Sequence, residues 1–443
     1  MERARLLAKK PEDPKQCYRA WHDQFGDVDP VLFRKSKGAW DALEAALSED
    51  GARAAGLVPY QSLIKSLRPG ATRKRCDEMA RHITRLAALT MDPSDDLDDD
   101  EFDGVVMHAS LAMIYRMHDG QDVVNPRGHT RPNGMPLDQM LVEMPMGLFG
   151  GLCVYDDFVN LRFLSLDEAY EVHTSLIEEN PRNVTFLPVA VDIGGAGMTC
   201  VSVITGNVIS FSLSGSGEYL RRKGAPEGLK ADSWFAEYAW RLARGIYRVE
   251  TFNPPWADNM NNPPACWIIS KFPREPLSHA TALSVACPSD ESVTERTGER
   301  TVYGEVTRGV RIRVSTFLLP STAPDNTPLF AYEIRMDLLG VQDQENRGIT
   351  PMTSVQLKSR KWTITNHLGQ VQEVEGEAVI GMYPLLRAGA SEPFVYASLT
   401  SCTTPGTMGG GFWFVEGAIE SPIGEPFFVR CPTFKLEMAK YIY

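Results

Sequence analysis

The sequence predicts an α+β multidomain protein: a helical N-terminal region, a mixed α+β unit, and a C-terminal β-sandwich. Three observations lead there. Apolar residues recur at helical spacing before residue 90, helical and strand-like segments interleave between 104 and 250, and period-two alternation over 310–318 and 330–338 is followed by further short strand runs separated by turns. With 443 residues, 43% of them hydrophobic, the chain is long enough for more than one core.

Residues 1–90 form the helical region. Trp40, Leu43 and Leu47 make one helical stripe that Gly51 can stop, and Met79, Ile83 and Leu86 repeat it. Residues 92–104 carry eight acids and no base, a composition that repels itself into a solvated loop. Asp96, Asp98 and Asp100 alternate as in a calcium loop, but Glu101 stands where the turn glycine is needed and Met107 where the bidentate acid belongs. In the unit spanning 104–250, Leu111, Ile114 and Tyr115 define a short helix ending at Gly120, and a Gly- and Pro-rich connection covers 125–136. Two or three strands follow over 186–213, then a helix with Trp234, Phe235, Tyr238, Ala239 and Leu242 on one side and Gly245 at its end. Prolines 254, 255, 263, 264, 273, 276 and 288 predict an extended linker over 251–300. Beyond it, Val310, Ile312, Val314, Thr316 and Leu318, and then Phe330, Tyr332, Ile334, Met336 and Leu338, mark the inward sides of two strands. Further short strands separated by turns, with no helix between them, imply the sandwich.

Charge and composition exclude several functions. A formal charge of -12 repels phosphate backbones, so nucleic acid is not expected as a partner. The longest uncharged stretch, 193–217, is broken by Gly, Ser, Thr and Asn, and the first residues lack the apolar core of a secretion signal, so membrane insertion is not expected. Eight cysteines stand singly, without zinc-ligand spacing, which fits reduced thiols in an intracellular, cytoplasmic or nuclear setting and no metal.

Catalytic arrangements are not apparent. His108 and His118 lack a third ligand nearby, and Ser214-Gly-Ser-Gly217 has the wrong order for a nucleophile elbow. The glycines at 194, 195 and 197 read as a hairpin turn. Basic clusters at Arg73, Lys74 and Arg75 and at Arg221, Arg222 and Lys223 read as solvated surface, and Met140, Met144 and Met146 as core fillers or an adaptable groove. No catalytic residue, cofactor or metal is assigned. On a strand, Phe412 and Phe414 take one face and Trp413 the other, so one set lies outside the core unless covered. All three are candidate partner contacts.

The C-terminal part resembles the ApaG family, a fibronectin III- or immunoglobulin-like sandwich. The motifs are Gly309-Val-Arg-Ile-Arg-Val314, Phe330-Ala-Tyr-Glu-Ile-Arg-Met336, Gly376-Glu-Ala-Val-Ile-Gly381 with the residues after it, and Thr404-Pro-Gly-Thr-Met-Gly-Gly-Gly-Phe-Trp-Phe414. Upstream, Ile114-Tyr-Arg-Met-His-Asp-Gly-Gln121, Gly147-Leu-Phe-Gly-Gly-Leu152 and Phe163-Leu-Ser-Leu-Asp-Glu-Ala169 are similar to the Smi/Knr-type SUKH domain, an interaction fold. Tyr18, Trp21, Trp40 and Leu43 resemble the helical connector that follows the F-box in the F-box protein 3-like family and its plant Skp1-interacting relatives. An F-box needs roughly 40–50 residues. Only residues 1–14 precede the connector, so the device that docks Skp1 is expected to be missing while the target-binding half remains.

The resemblance implies a non-enzymatic adaptor that binds a client protein, akin to the substrate-recognition part of an SCF-type ubiquitin ligase. A structural subunit of a stable assembly is the second reading. A nucleotide- or pyrophosphate-binding protein using Gly376 and Gly381 is the third. Ala378 in place of a middle glycine, and Glu375 and Glu377 beside it, make a plain turn between strands the expected use of that segment.

Overall fold

The computed structural model of the chain describes residues 25–48, 63–91, 102–122, 147–154, 157–179, 184–192, 195, 197–213, 219–221, 228–252, 266–274, 302–323 and 327–438. The acidic run up to 101, the connection at 125–136, Met140, Met144 and Met146, and the serines at 214 and 216 lie outside the described residues.

Helix α1, Pro30–Ala46, starts where Asp29 accepts hydrogen bonds from the amides of Val31 and Leu32 at 2.6 and 3.0 Å, with Pro30 supplying the preset first turn. Its buried side is the expected one, Trp40 and Leu43 with Ala39 and Ala42 and the capping Leu47, although it ends at Ala46, ahead of Gly51. Helix α2, Arg73–Met91, departs from its expected stripe. Cys76, Ala80, Ile83 and Ala87 are the buried positions, while Met79 and Leu86 are half-buried. Ile83 is buried as expected, and the small residues Cys76, Ala80 and Ala87 beside it let the helix lie close to its neighbours. Burial pushes the Cys76 thiol up to about 12, so it behaves as an apolar filler rather than a nucleophile. Helix α3, Ala109–Met117, buries Leu111, Ile114 and Tyr115 as expected.

An eight-stranded sheet carries the first unit. It consists of β1 Gly151–Val154, β2 Asp157–Phe163, β3 Phe186–Asp192, β4 Gly197–Ser202, β5 Val208–Leu213, β6 Tyr219–Arg221, β7 Arg248–Phe252 and β8 Cys266–Ser270, in the spatial order β6-β5-β4-β3-β2-β1-β8-β7. Neighbours are antiparallel except β1 and β8. Strand β8 corrects the extended linker expected over 251–300, since 266–270 pairs into the sheet. The prolines at 263, 264 and 273 flank this strand and none falls within it, so its ladder donors are intact. Helices α4, Leu166–Glu179, and α5, Ala231–Ala243, complete the unit, and Lys35 ties α1 to α5 through Asp232 at 2.6 Å. Trp40 sits in the aromatic centre, with ring centroids 4.5 Å from Phe235, 4.5 Å from His118 and 6.1 Å from Phe163.

The second unit is a sandwich of two sheets. Strands β9 Val302–Thr307, β10 Val310–Thr322, β11 Pro328–Leu338 and β15 Phe394–Ser401 form the first, in the order β15-β11-β10-β9. The second contains β12 Ser354–Thr365, β13 Val371–Glu377, β14 Leu385–Arg387, β16 Gly406–Ala418, β17 Ser421–Pro422 and β18 Phe427–Leu436. Strands β13 and β14 lie along one side of β12, with β16 on the other and β18 beyond it. A six-residue helix, α6 Val341–Asn346, interrupts the run of strands that was expected to contain no helix. Its Gln344 is buried and bonds the carbonyls of Leu339 and Met352 at 2.7 and 3.0 Å, bracing the crossing between the sheets. The inner faces are those the alternation predicted. Val310, Ile312, Val314, Tyr332, Ile334 and Met336 meet Leu357, Trp362, Phe412, Phe414 and Phe434.

The outer face of the first sheet is covered. Phe317, Leu319 and Ala331 belong to the same buried cluster as Trp40 and Phe235, so the two units share a core. Lys271 places its ammonium 5.2 Å from the centroid of Phe317. Arg274 then spans the junction, giving Glu333 two bonds at 2.7 and 3.1 Å and Glu250 further bonds at 2.9 to 3.2 Å, while Arg335 reaches Glu333 at 2.8 Å. The buried charges are thus matched across the boundary in a bidentate fork.

Candidate partner-binding face

With one side of the sandwich occupied by the first unit, the free broad surface is the outer face of the second sheet. Its aromatic residues are set by strand parity. Phe412 and Phe414 point inward and are fully buried, whereas Trp413 points outward and is 41% exposed. This corrects the grouping of all three as partner contacts, because the inner pair is spent on the core and Trp413 alone reaches solvent.

A bulge keeps the pattern in step. Leu357 pairs with Phe414 and Ser359 with Trp413, leaving Lys358 as an extra residue, so both Leu357 and Trp362 face inward. The cross-strand row on the outer face then runs Phe428, Trp413, Ser359, Glu377. Phe428 packs against Trp413 with centroids 5.3 Å apart. Gly411 makes room for this pair, since a Cβ there would lie 2.8 Å from Phe428 Cζ and 2.1 Å from the Val429 carbonyl oxygen. At the other end, the Tyr383 hydroxyl donates to Glu377 Oε2 at 3.1 Å, and that bond to a carboxylate raises the phenol's pKa. The next row holds Lys361 between Glu375 at 2.9 Å and Glu373 at 3.2 Å, and the two carboxylates raise its pKa. Leu385, also exposed, lies beside Gln356 at the edge of the same face.

Gly376 and Gly381 bracket a turn. Val379 and Met382 exchange backbone hydrogen bonds at 3.0 and 2.8 Å, with Ile380 and Gly381 between them at φ +43° and +76°, a two-residue turn of the I′ kind. The Ala378 amide bonds the Lys358 carbonyl at 3.0 Å, and Arg360 takes the carbonyls of Glu377 and Ala378 at 2.9 and 2.7 Å. Gly376 lies under that guanidinium, where a Cβ would come within 3.2 Å of it. The amides of Ala378 and Val379 are already committed to backbone, and strand β14 rather than a helix follows, so the geometry is that of a turn and not of a phosphate cradle. A β-branched residue at positive φ is costly. Ile380→Asn should therefore raise the unfolding free energy by about 1 kcal/mol, read from a denaturant midpoint; an unchanged or lower midpoint contradicts the strain.

The histidines singled out earlier are structural. His108 accepts from the Ser110 amide at 3.3 Å and caps α3, and burial lowers its pKa. His118 packs tilted against Trp40, with Nε2 3.0 Å from Glu44 and Nδ1 3.1 Å from the Arg68 carbonyl. Arg73 and Arg75 pair with Asp27, Asp77, Asp119 and Asp167. Gly195 turns between β3 and β4, its amide bonding the Asp192 carbonyl at 2.9 Å, as the hairpin reading expected. Ser359, Tyr383 and Phe428 were not picked out from the sequence, and Glu377 was noted only as an acid that repels an anion. Phe428 was detectable as the outward position between inward Phe427 and Val429, but the Tyr383 contact depends on how the turn folds back.

Comparison with known proteins gives the ApaG domain family over residues 320–416. F-box protein SKIP16 of Arabidopsis thaliana is 27% identical over 97% of this chain and 85% of its own length. Protein ApaG of Rhodospirillum centenum is 37% identical, covering 31% of this chain and 93% of its own. Human F-box only protein 3 is 32% identical over 30% of this chain and 28% of its own.

Proposed function

We propose, from the premise that the chain belongs to the ApaG-domain family that includes F-box only protein 3-like proteins, that it is a non-enzymatic adaptor which holds a client protein on its ApaG sandwich. The observation that carries this reading is the asymmetry of the sandwich. One sheet is sealed against the first unit, while the other presents Trp413, Phe428, Tyr383 and Leu385. Aromatic residues on a rigid, otherwise polar sheet are the composition of an interaction surface. In this reading the eight-stranded unit is a SUKH-type interaction domain, and the chain works inside the cell as the client-recognition part of an SCF-type ligase. No helix among the described residues is long and apolar enough to cross a membrane.

Two measurements test this. The immobilised full chain should retain an exchangeable client from an extract, and Trp413→Ala should cut retention at least tenfold, as loss of a hot-spot aromatic does; a fixed-stoichiometry complex that resists salt favours a structural subunit instead. Retention equal in wild type and variant overturns the assignment to this face, and no retention by either overturns the adaptor reading. Titration with Skp1 at micromolar concentration tests the ligase link separately, and absence of binding removes it.

A further inference from the structure

We infer, building on the adaptor reading above, that the step over Ser359 receives a lysine or arginine side chain from an extended basic segment of the partner. Ser359 is the small residue in its row, with Trp413 on the strand to one side and Glu377 on the strand to the other. Strands two apart are separated by roughly 10 Å. The Trp413 indole and the Glu377 carboxylate therefore flank a position floored by a serine. A cation needs to come within about 6 Å of a ring centroid and about 4 Å of a carboxylate oxygen, and one head group in that gap meets both conditions.

Charge on the face selects the same occupant. Glu373, Glu375 and Glu377 alternate along β13 and project to the outer side. Lys361 serves Glu373 and Glu375 together, and among the described residues Glu377 has no ion-pair partner, only the neutral Tyr383 hydroxyl. Of the other nearby cations, Arg430 is committed to Glu305 at 2.8 Å and Arg360 on the inner side to two carbonyls, while exposed Lys358, the bulge residue before Ser359, forms no ion pair among the described residues. Strand β13 pairs only with β12 among the described strands, so its outer edge is open to an added strand. An extended segment there would set a basic side chain beside Glu377, on the near side of that gap, at every second position.

The probe is a fluorescein-labelled twelve-residue peptide of alternating lysine and threonine, measured by polarisation against the full chain at low salt. Glu377→Gln and Trp413→Leu should each weaken it at least about fivefold, the leucine keeping apolar area while removing the ring face. Glu345→Gln on α6 should leave it unchanged, and circular dichroism should show all variants folded. A peptide with citrulline in place of lysine should bind at least about tenfold more weakly. The inference is overturned if the two site variants bind the lysine peptide as wild type does, if nothing binds, or if the citrulline peptide binds equally, which marks an apolar docking surface. It is also overturned if the face proves to self-associate by sedimentation in a Trp413-dependent way. Client retention that survives Glu377→Gln and Trp413→Leu overturns it as well and leaves the adaptor reading in place. Failure of wild-type retention counts against the adaptor reading itself.

Discussion

Replacing Arg274 with methionine should lower the stability of the chain by about 3 kcal/mol, the lower end of the cost of removing one partner from a buried ion pair. The guanidinium is buried at the junction and forks onto Glu333, itself buried, while also holding Glu250. Without it, Glu333 keeps Arg335 at 2.8 Å as its ion-pair partner among the described residues, which is why the lower end applies. Desolvation holds the Arg335 pKa below its ordinary value even with Glu333 beside it, so that residue is a strained substitute. Guanidinium unfolding followed by tryptophan fluorescence should show the sandwich and the first unit melting in separate transitions in the variant, and together in the wild type. The double change Arg274→Met with Glu333→Leu should recover most of the loss, since an apolar pair needs no charge compensation. A single variant that melts within about 1 kcal/mol of wild type contradicts this account.

Two adjacent residues should respond very differently to the same truncation. Phe412→Ala is expected to cost about 3–5 kcal/mol, as for other buried phenylalanines, because its ring lies edge-on to Trp362 at 5.3 Å in the centre of the sandwich. Trp413→Ala is expected to cost no more than about 1 kcal/mol, chiefly its pairing with Phe428. Chemical denaturation of the two variants in parallel measures the contrast. Equal losses would mean that Trp413 belongs to the core and is not available to a partner.

Much of the architecture was legible in residue spacing. The alternation in β10 and β11 identified their inward faces because a sandwich strand has one buried side and a period of two. Helix α1 was equally readable, since Trp40, Leu43 and Leu47 are large and define their stripe without ambiguity. Helix α2 was not, because its contact is made by Cys76, Ala80 and Ala87, and small residues weigh little in an apolar pattern. Strand β8 was hidden by prolines that surround it without entering it. At the candidate site, the split of Phe412 and Phe414 from Trp413 followed from parity. Choosing which side faced water required knowing that the first sheet was already covered by Phe317, Leu319 and Ala331 docking into the first unit. Glu377 and Tyr383 meet only through the turn at Ile380 and Gly381, which propensity did not specify at a β-branched residue.

The extra residue at Lys358 also governs how β12 tolerates inherited change in its length. Losing one in-frame codon between Leu357 and Arg360 would merely regularise the ladder, leaving Leu357 and Trp362 on the side they already occupy. Loss of Gln356 instead would put the inward residues Val355 and Leu357 on opposite faces, carrying one of them into water. Natural variants of this segment that differ by one residue are thus expected to have gained or shed it there.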